Sequence, residues 1–267
     1  MLAGMALPET VPAGPMPAGT IPGEMILVRG SARLRAVAPG KEAQGMSDNL
    51  LSLLQQQMVE IIAAHAHLVS EQIGKDKLDD RVMAVMGRIP RHGFVPVELA
   101  PYAYADQPLP IGFDKTISQP FIVALMTDLL DVEPHHRVLE IGTGLGYHTA
   151  ILAELAGEVY TVELIEELAE KAHKRFESLG LGNVQARIGN GENGWPEHAP
   201  FDRILVCAAS ELIPAMLLKQ LKAGGKMVVP TGMPDSQTLM LVEKNEAGRI
   251  STREVLPVRF ALLEAAS

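Results

Sequence analysis

The chain has 267 residues, a formal net charge of -9 and a sequence pI near 5.4. That length suits one α/β core with a small appendage, and the acidic balance leaves no basic footprint for a phosphate backbone, so nucleic acid is not an expected partner. The single cysteine, Cys207, excludes an internal disulfide framework, no C-x-x-C or H-E-x-x-H spacing points to a metal, and no apolar run reaches the roughly 20 residues of a membrane span.

Residues 1–46 are rich in Pro, Gly and Ala, with only Met25 to Val28 briefly apolar, and are expected to form a disordered leader. A translation start at Met46 is the alternative reading of the same composition. Nothing after Met1 has the basic region and continuous apolar segment of a secretory signal, so the expected setting is a reducing cytoplasm. From Ser47 the pattern changes. Leu50, Leu51, Leu54, Met58, Ile61, Ile62, Leu68 and Val69 recur at helical spacing, which predicts one or two amphipathic helices capped by Ser47 or Asp48 and ending at Ile73-Gly74. A second helix is expected over 79–88, stopping before Pro90, and 94–112 reads as a loop-rich lid or substrate wall. Residues 47–115 together are expected to form an N-terminal helical subdomain that walls the acceptor site.

Thr116 to Pro120 leads into an amphipathic helix carrying Phe121, Ile122, Leu125, Met126, Leu129 and Leu130. From there α and β patterns alternate. Strands are expected at 137–141, 158–163, 184–188, 201–207 and 226–230, with helices at 147–156, 165–179 and 212–221 between them. This is the signature of a doubly wound, Rossmann-like parallel sheet. Gly224-Gly225 is expected to turn the last helix into its strand, and 238–243 and 254–262 to add antiparallel edge strands. Residues 116–267 therefore read as one ligand-binding core.

The segment R-V-L-E-I-G-T-G-L-G-Y at 137–147 carries the chemistry. An apolar strand runs into Gly142, Gly144 and Gly146, which permit a tight turn and close ligand approach, and a helix follows. About twenty residues on, the next strand ends in Glu163, whose carboxylate can accept hydrogen bonds from both ribose hydroxyls. Tyr147 stands where a dinucleotide fingerprint needs its last glycine, which favours a ligand without a diphosphate; S-adenosylmethionine is the expected cofactor, another nucleotide or none the alternative. In such a sheet the residues just after each strand define the site, here Gly142, Thr143, Gly144 and Gly146, then Glu163, then Gly189, Asn190 and Gly191, then Ala208 and Ala209. Asn190 can offer both a donor and an acceptor to an adenine edge, or serve only its own turn.

No acid/base dyad stands at the strand ends. Methyl transfer from a sulfonium to a carboxylate needs none, because a carboxyl with a pKa of about 3.9 to 4.3 is already ionised near pH 7. The enzyme's work is then positioning, which can contribute about 7–11 kcal/mol. Thr116 and Ser118 are candidates to hold an acceptor carboxylate, and an N-cap role for the helix after Gln119 is the alternative for both. His65 and His67 point to different helix faces, His135-His136 reads as a solvated pair, Cys207 as buried packing and Trp195 as a loop-shaping residue. His148, opening the helix after the glycine turn, is open between ligand proximity and packing.

Six segments together resemble the protein-L-isoaspartate (D-aspartate) O-methyltransferase family: I-P-R-H-G-F-V-P at 89–96, A-Y-A-D-Q-P-L-P-I-G at 103–112, T-I-S-Q-P at 116–120, V-L-E-I-G-T-G-L-G-Y at 138–147, G-W-P-E-H-A-P-F-D at 194–202 and L-K-A-G-G-K-M-V-V-P at 221–230. The resemblance spans about 80–262. It implies S-adenosyl-L-methionine as cofactor and isoaspartyl residues of damaged proteins and peptides as partners. It implies Ser118 as the active-site serine on the acceptor carboxylate, with Thr116, Ile117 and Gln119 beside it. Gly142, Thr143, Gly144 and Gly146 would face the methionine part of the cofactor, Glu163 the ribose, and Asn190 with Gly191 the adenine. The product ester would collapse to a succinimide that reopens partly to normal aspartate. Two positions depart from the family pattern: Asn190 replaces an Asp between glycines, which bears on cofactor affinity, and His148 replaces a Gln. A methyltransferase for another small acceptor and a non-catalytic adenosyl-ligand protein are the competing readings. V-C-A-A-S at 206–210 disfavours base methylation, Tyr147 disfavours a nicotinamide enzyme, and the oligomeric state is not fixed by the sequence.

Overall fold

The computed structural model describes residues 41–264, so the expected leader over 1–40 lies outside the described residues. Helix α1 (Lys41–Leu68) begins six residues ahead of the expected start, which places Ser47 and Asp48 inside the helix and removes both as its caps. Helix α2 (Ser70–Ile73) ends at Gly74 as expected, and α3 (Asp80–Met86) is capped by Asp79, whose carboxylate accepts the Arg81 amide. The four-residue spacing of Met58, Ile62 and Ala66 puts all three on the buried face of α1. The same face sends the buried Gln55 amide to the carbonyls of Met86 (3.2 Å) and Ile89 (2.9 Å), tying α1 to the segment that leaves α3.

The stretch read as loop holds a hairpin, β1 (Leu109–Gly112) and β2 (Lys115–Ile117), paired antiparallel. Its tight turn is Phe113-Asp114, both at φ 55°. Strands of four and three residues are too short to show an alternation in sequence. Helix α4 (Pro120–Leu130) starts on a proline, which suits a first helical position, and is buried on nearly every side rather than on one face.

The main sheet has seven strands in the order β5-β4-β3-β6-β7-β8-β9: β3 (Arg137–Ile141), β4 (Glu158–Glu163), β5 (Val184–Ile188), β6 (Phe201–Val206), β7 (Leu221–Met233), β8 (Ser236–Lys244) and β9 (Ile250–Val258). Pairing from β5 through β7 is parallel, and β8 and β9 add antiparallel edges. Helices α5 (Tyr147–Leu155), α6 (Glu166–Leu179) and α7 (Ala215–Gln220) connect them. The expected doubly wound fold is therefore the observed one. Along β6, Leu205 joins one core and Ile204 and Val206 the other, so this central strand feeds both faces and is buried throughout. Two boundaries differ from expectation. Gly224-Gly225 does not turn α7 into a strand; β7 already begins at Leu221, and the pair sits in an irregularity between the partners Phe201↔Leu221 and Arg203↔Lys226. Strand β9 stops at Val258, and the tail instead crosses back so that Ala209 exchanges hydrogen bonds with Ala261 (2.8 Å) and Leu263 (2.7 Å).

The N-terminal helices do not have a core of their own. Met58, Ile62, Val82 and Val85 belong to the same buried cluster as Val138 of β3 and Leu205 of β6. Among the described residues no helix is long and apolar enough to cross a membrane.

Candidate active site

The chain runs from β3 outward to β4 on one side and from β6 to β7 on the other, so the crevice between the carboxyl ends of β3 and β6 is the place where such a sheet binds ligands. A cavity of about 510 Å³ lies there. Its wall is built from the turn 115–119, the glycine turn 142–145, Glu163 to Ile165, Gly191, Cys207 with Ala208, and the returning tail 257–264. The structure thus brings Thr116, Ile117, Ser118, Gln119, Gly142, Thr143, Gly144, Glu163 and Gly191 to one cavity, and leaves Gly146 and Asn190 outside its wall.

Gly146 serves packing instead. It holds φ 92° at the start of α5, and a Cβ there would stand 2.5 Å from Cε1 of Phe176 on α6. The helix-packing glycine of this turn is therefore Gly146, and Tyr147 is free to be large. The Tyr147 ring packs edge-on to Phe94 at 5.5 Å and beneath the Arg91 guanidinium at 4.9 Å. Gly191 is needed because any Cβ would collide with the Ile141 side chain where the end of β5 passes the end of β3.

Glu163, at the end of β4, is gripped by three backbone amides. Its Oε2 accepts from Gly144 (2.7 Å) and its Oε1 from Leu164 (2.9 Å) and Ile165 (3.0 Å). A carboxylate has about four acceptor positions, so about one remains, on Oε2. One further donor fits at once; a second requires an amide to let go. Asn190 caps its own turn, its Oδ1 accepting the Glu192 amide at 2.9 Å, which leaves the side-chain NH2 as the group it can offer outward.

The turn carrying Ser118 is held from two sides by residues the sequence reading passed over. Arg91 is fully buried; its Nη2 donates to the Ser118 carbonyl (2.7 Å) and its Nε to the Ala103 carbonyl (2.8 Å). Burial pulls its pKa down to about 10. Asp106 accepts the Phe121 amide (2.8 Å), the Gln119 side-chain NH2 (2.9 Å) and His65 (3.1 Å), and the His65 ring stacks on Phe121 at 4.0 Å. Asp106 therefore caps α4. The residue at the cap position is Gln119, with no side-chain cap bond, so neither Thr116 nor Ser118 has the N-cap role that was their alternative. Ser118 lines the cavity with its carbonyl fixed and its hydroxyl in no hydrogen bond among the described residues.

The family model of protein-L-isoaspartate(D-aspartate) O-methyltransferase matches residues 63–266. The chain belongs to this family. It is 60% identical over 221 residues to "Protein-L-isoaspartate O-methyltransferase 1" of Polaromonas sp. (strain JS666 / ATCC BAA-500), covering 83% of this chain and 94% of that protein. A solved structure titled protein-L-isoaspartate O-methyltransferase superposes with a TM-score of 0.67 at 27% identity over 78% of this chain and 65% of that one, just under two thirds of its length. A second, from Plasmodium falciparum in complex with S-adenosyl-L-homocysteine, gives a TM-score of 0.65 at 23% identity over 79% and 98%, a likeness of fold.

In this isoaspartyl methyltransferase a further group of polar side chains lies at and behind the cavity wall. Glu140 is completely buried and its Oε2 accepts from Thr149 (2.5 Å) and Thr161 (2.7 Å); burial drives its pKa up to about 7. His148 and Cys207 both line the cavity, and both are also packed: His148 is bonded to Thr127, and Cys207 lies against the hydrophobic core, in keeping with the packing expected of it. Burial holds His148 down to about 3, so it is neutral, and pushes the Cys207 thiol well above its ordinary value. Two smaller expectations also resolve. His136 is buried, its Nδ1 accepting the Glu133 amide at 2.9 Å, and is not half of a solvated pair; Trp195 packs edge-on to Tyr160 at 5.6 Å, outside the cavity wall, as a loop-shaping residue.

Proposed function

We infer that this protein transfers the methyl group of S-adenosyl-L-methionine to the carboxylate of isoaspartyl, and D-aspartyl, residues in damaged proteins and peptides, initiating their repair. The observation that carries the reading is Ser118, a hydroxyl without a partner among the described residues on a turn clamped by Arg91 and Asp106, in the wall of the same cavity as the glycine turn and Glu163. The cavity fits the cofactor: its volume lies in the ordinary range for small-molecule sites, of about 300–1,000 Å³, and the glycine turn, Glu163 and Gly191 all line it. We assign Gly142, Thr143 and Gly144 to its methionine part, Glu163 to the ribose, and Gly191 with the Asn190 NH2 to the adenine edge. Gly146 supports that turn from behind.

When bound, the cofactor supplies an electrophilic methyl group on a sulfonium. The acceptor carboxylate arrives ionised, so the chain needs no general base. The Ser118 hydroxyl donates to one acceptor oxygen and aims the other, and a hydrogen bond to a charged group contributes about 1.5–3 kcal/mol. Thr116, Ile117 and Gln119 flank it, and Pro108, Ile111 and Lys115 form the outer acceptor wall, in keeping with an N-terminal segment 47–115 that shapes the acceptor side. A reducing cytoplasm fits the single cysteine, and the acidic balance fits a protein rather than a nucleic-acid partner.

The test uses methyl-labelled S-adenosylmethionine and two peptides identical except for one isoaspartyl or aspartyl linkage, with base-labile methyl ester as readout. Label confined to the isoaspartyl peptide is expected. Equal label on both, or none on either with cofactor bound, would overturn the reading.

A further inference from the structure

The strand end, the helix start and the next strand end bring Glu140, His148 and Cys207 together, although they lie 8 and 59 residues apart in sequence. One donor atom from each lies within 4.8 Å of the other two. We propose that these three side chains form a binding site for a borderline-soft divalent metal ion of the Zn²⁺ class, beside the cofactor cavity, with His148 and Cys207 in the shared wall and Glu140 behind it.

Three observations support the assignment. First, the tautomer of His148 is set by its neighbours. Thr127 Oγ1 donates to the Val123 carbonyl at 2.8 Å, so it must accept from His148 Nε2 at 2.8 Å, which leaves Nδ1 with a lone pair, 3.8 Å from Cys207 Sγ. A metal-binding histidine is ordinarily oriented in this way, by a hydrogen bond from its other nitrogen. With Zn–S of about 2.3 Å and Zn–N of about 2.0–2.1 Å, tetrahedral ligands stand about 3.6 Å apart, so this pair is already near the needed spacing. Second, Glu140 Oε1 is buried with no hydrogen-bond partner among the described residues, while Oε2 is held by two threonine hydroxyls. An orphaned carboxylate oxygen in a closed interior is costly, and a cation is the ligand that answers it. Third, charge and access suit an ion. One thiolate, one carboxylate and one neutral imidazole balance a divalent cation, and His148 and Cys207 open directly to the cavity, which is the entry path. A shift of about 1 Å in Glu140 brings the third donor into range.

The full-length protein is titrated with Co²⁺ as the spectroscopic probe. Because Cys207 is the only cysteine, a thiolate-to-cobalt charge-transfer band reports this site and no other. A band saturating at one equivalent is expected, displaced by Zn²⁺ and lost in Cys207→Ser. His148→Gln is expected to weaken cobalt binding at least about tenfold, and Thr127→Val, which touches no metal ligand but His148, to weaken it about 10–100-fold. Absence of the band in the wild type, or cobalt affinity unchanged in His148→Gln, would overturn the site. In a second arm, saturating Zn²⁺ is expected to raise the Kd for S-adenosylhomocysteine at least about fivefold in the wild type and not in Cys207→Ser. An unchanged Kd would overturn the shared wall. The cobalt arm needs no methyl transfer, so it stands apart from the isoaspartyl reading.

Discussion

Replacing Gly146 by Ala tests whether the last glycine of the turn is there for packing. The residue holds φ 92°, which costs an L-residue about 1–2 kcal/mol. Its new Cβ would lie 2.5 Å from Cε1 and 2.8 Å from Cζ of Phe176, and overpacking of this kind costs about 1–3 kcal/mol. Together these predict a loss of about 2–5 kcal/mol, or a fall in Tm near 10 °C at about 2–4 °C per kcal/mol for a protein of this size. The assay is thermal and urea unfolding followed by circular dichroism, run as a double-mutant cycle with Phe176→Leu. Removing the ring should recover the steric part and leave the backbone part, which gives a favourable coupling of about 1–3 kcal/mol. A Gly146→Ala protein that melts within about 2 °C of wild type, or strict additivity in the cycle, would refute the packing argument.

Three other perturbations follow from the site. Ser118→Ala is expected to lower kcat/KM for an isoaspartyl peptide by about 10–150-fold, the equivalent of one hydrogen bond to a charged group, with Tm almost unchanged; an unaltered rate would remove Ser118 from the mechanism. Asp106→Ala takes the cap from α4 and the anchor from Gln119, so Tm should fall by a few degrees, for a loss of about 1–2 kcal/mol, and peptide turnover should fall while cofactor affinity holds. Loss of cofactor affinity in equal measure would contradict that division. Asp202 sets a pH dependence. Burial pushes its carboxyl up, but the Arg137 amide (2.9 Å) and Lys222 (2.7 Å) outweigh burial and hold it below its ordinary 3.8. A depressed folded pKa gives stability that is present above pH 3.8 and lost as pH falls through the lower folded value. Urea midpoints between neutral pH and pH 3 should therefore drop more steeply in wild type than in Asp202→Asn, and parallel curves would show that Asp202 carries none of the acid sensitivity.

Much of this architecture is legible in the amino-acid order, for a physical reason. Parallel strands buried on both faces must be continuous apolar runs between turns, so β3 and β4 fall at the expected residues; β5, a mostly exposed edge strand, falls at its expected residues as well. What the order hides is short or distant. The β1–β2 hairpin is below the length at which alternation shows, and the start of α1 over K-E-A-Q-G-M has no apolar period to announce it. The glycine turn and Glu163 are visible because a strand end and a fixed interval mark them. The setting of Ser118 is not, because Arg91 reaches it from 27 residues away and Asp106 acts through Gln119 and Phe121. Glu140, His148 and Cys207 are invisible as a group for the same reason: each looks like packing until the sheet puts them side by side.

The helices ahead of the sheet share its hydrophobic interior, with Met58 and Ile62 in one buried cluster with Val138 and Leu205. They are therefore not a detachable module, and a lineage cannot exchange this segment as a cassette to acquire a new acceptor range. Each substitution that remodels this segment from the inside also loosens the core it shares with the sheet. Changes that spare this shared core are those at the rim of the cavity, such as the exposed Arg259 and Glu264 of the tail, or those that follow earlier mutations making the fold firmer than its task required.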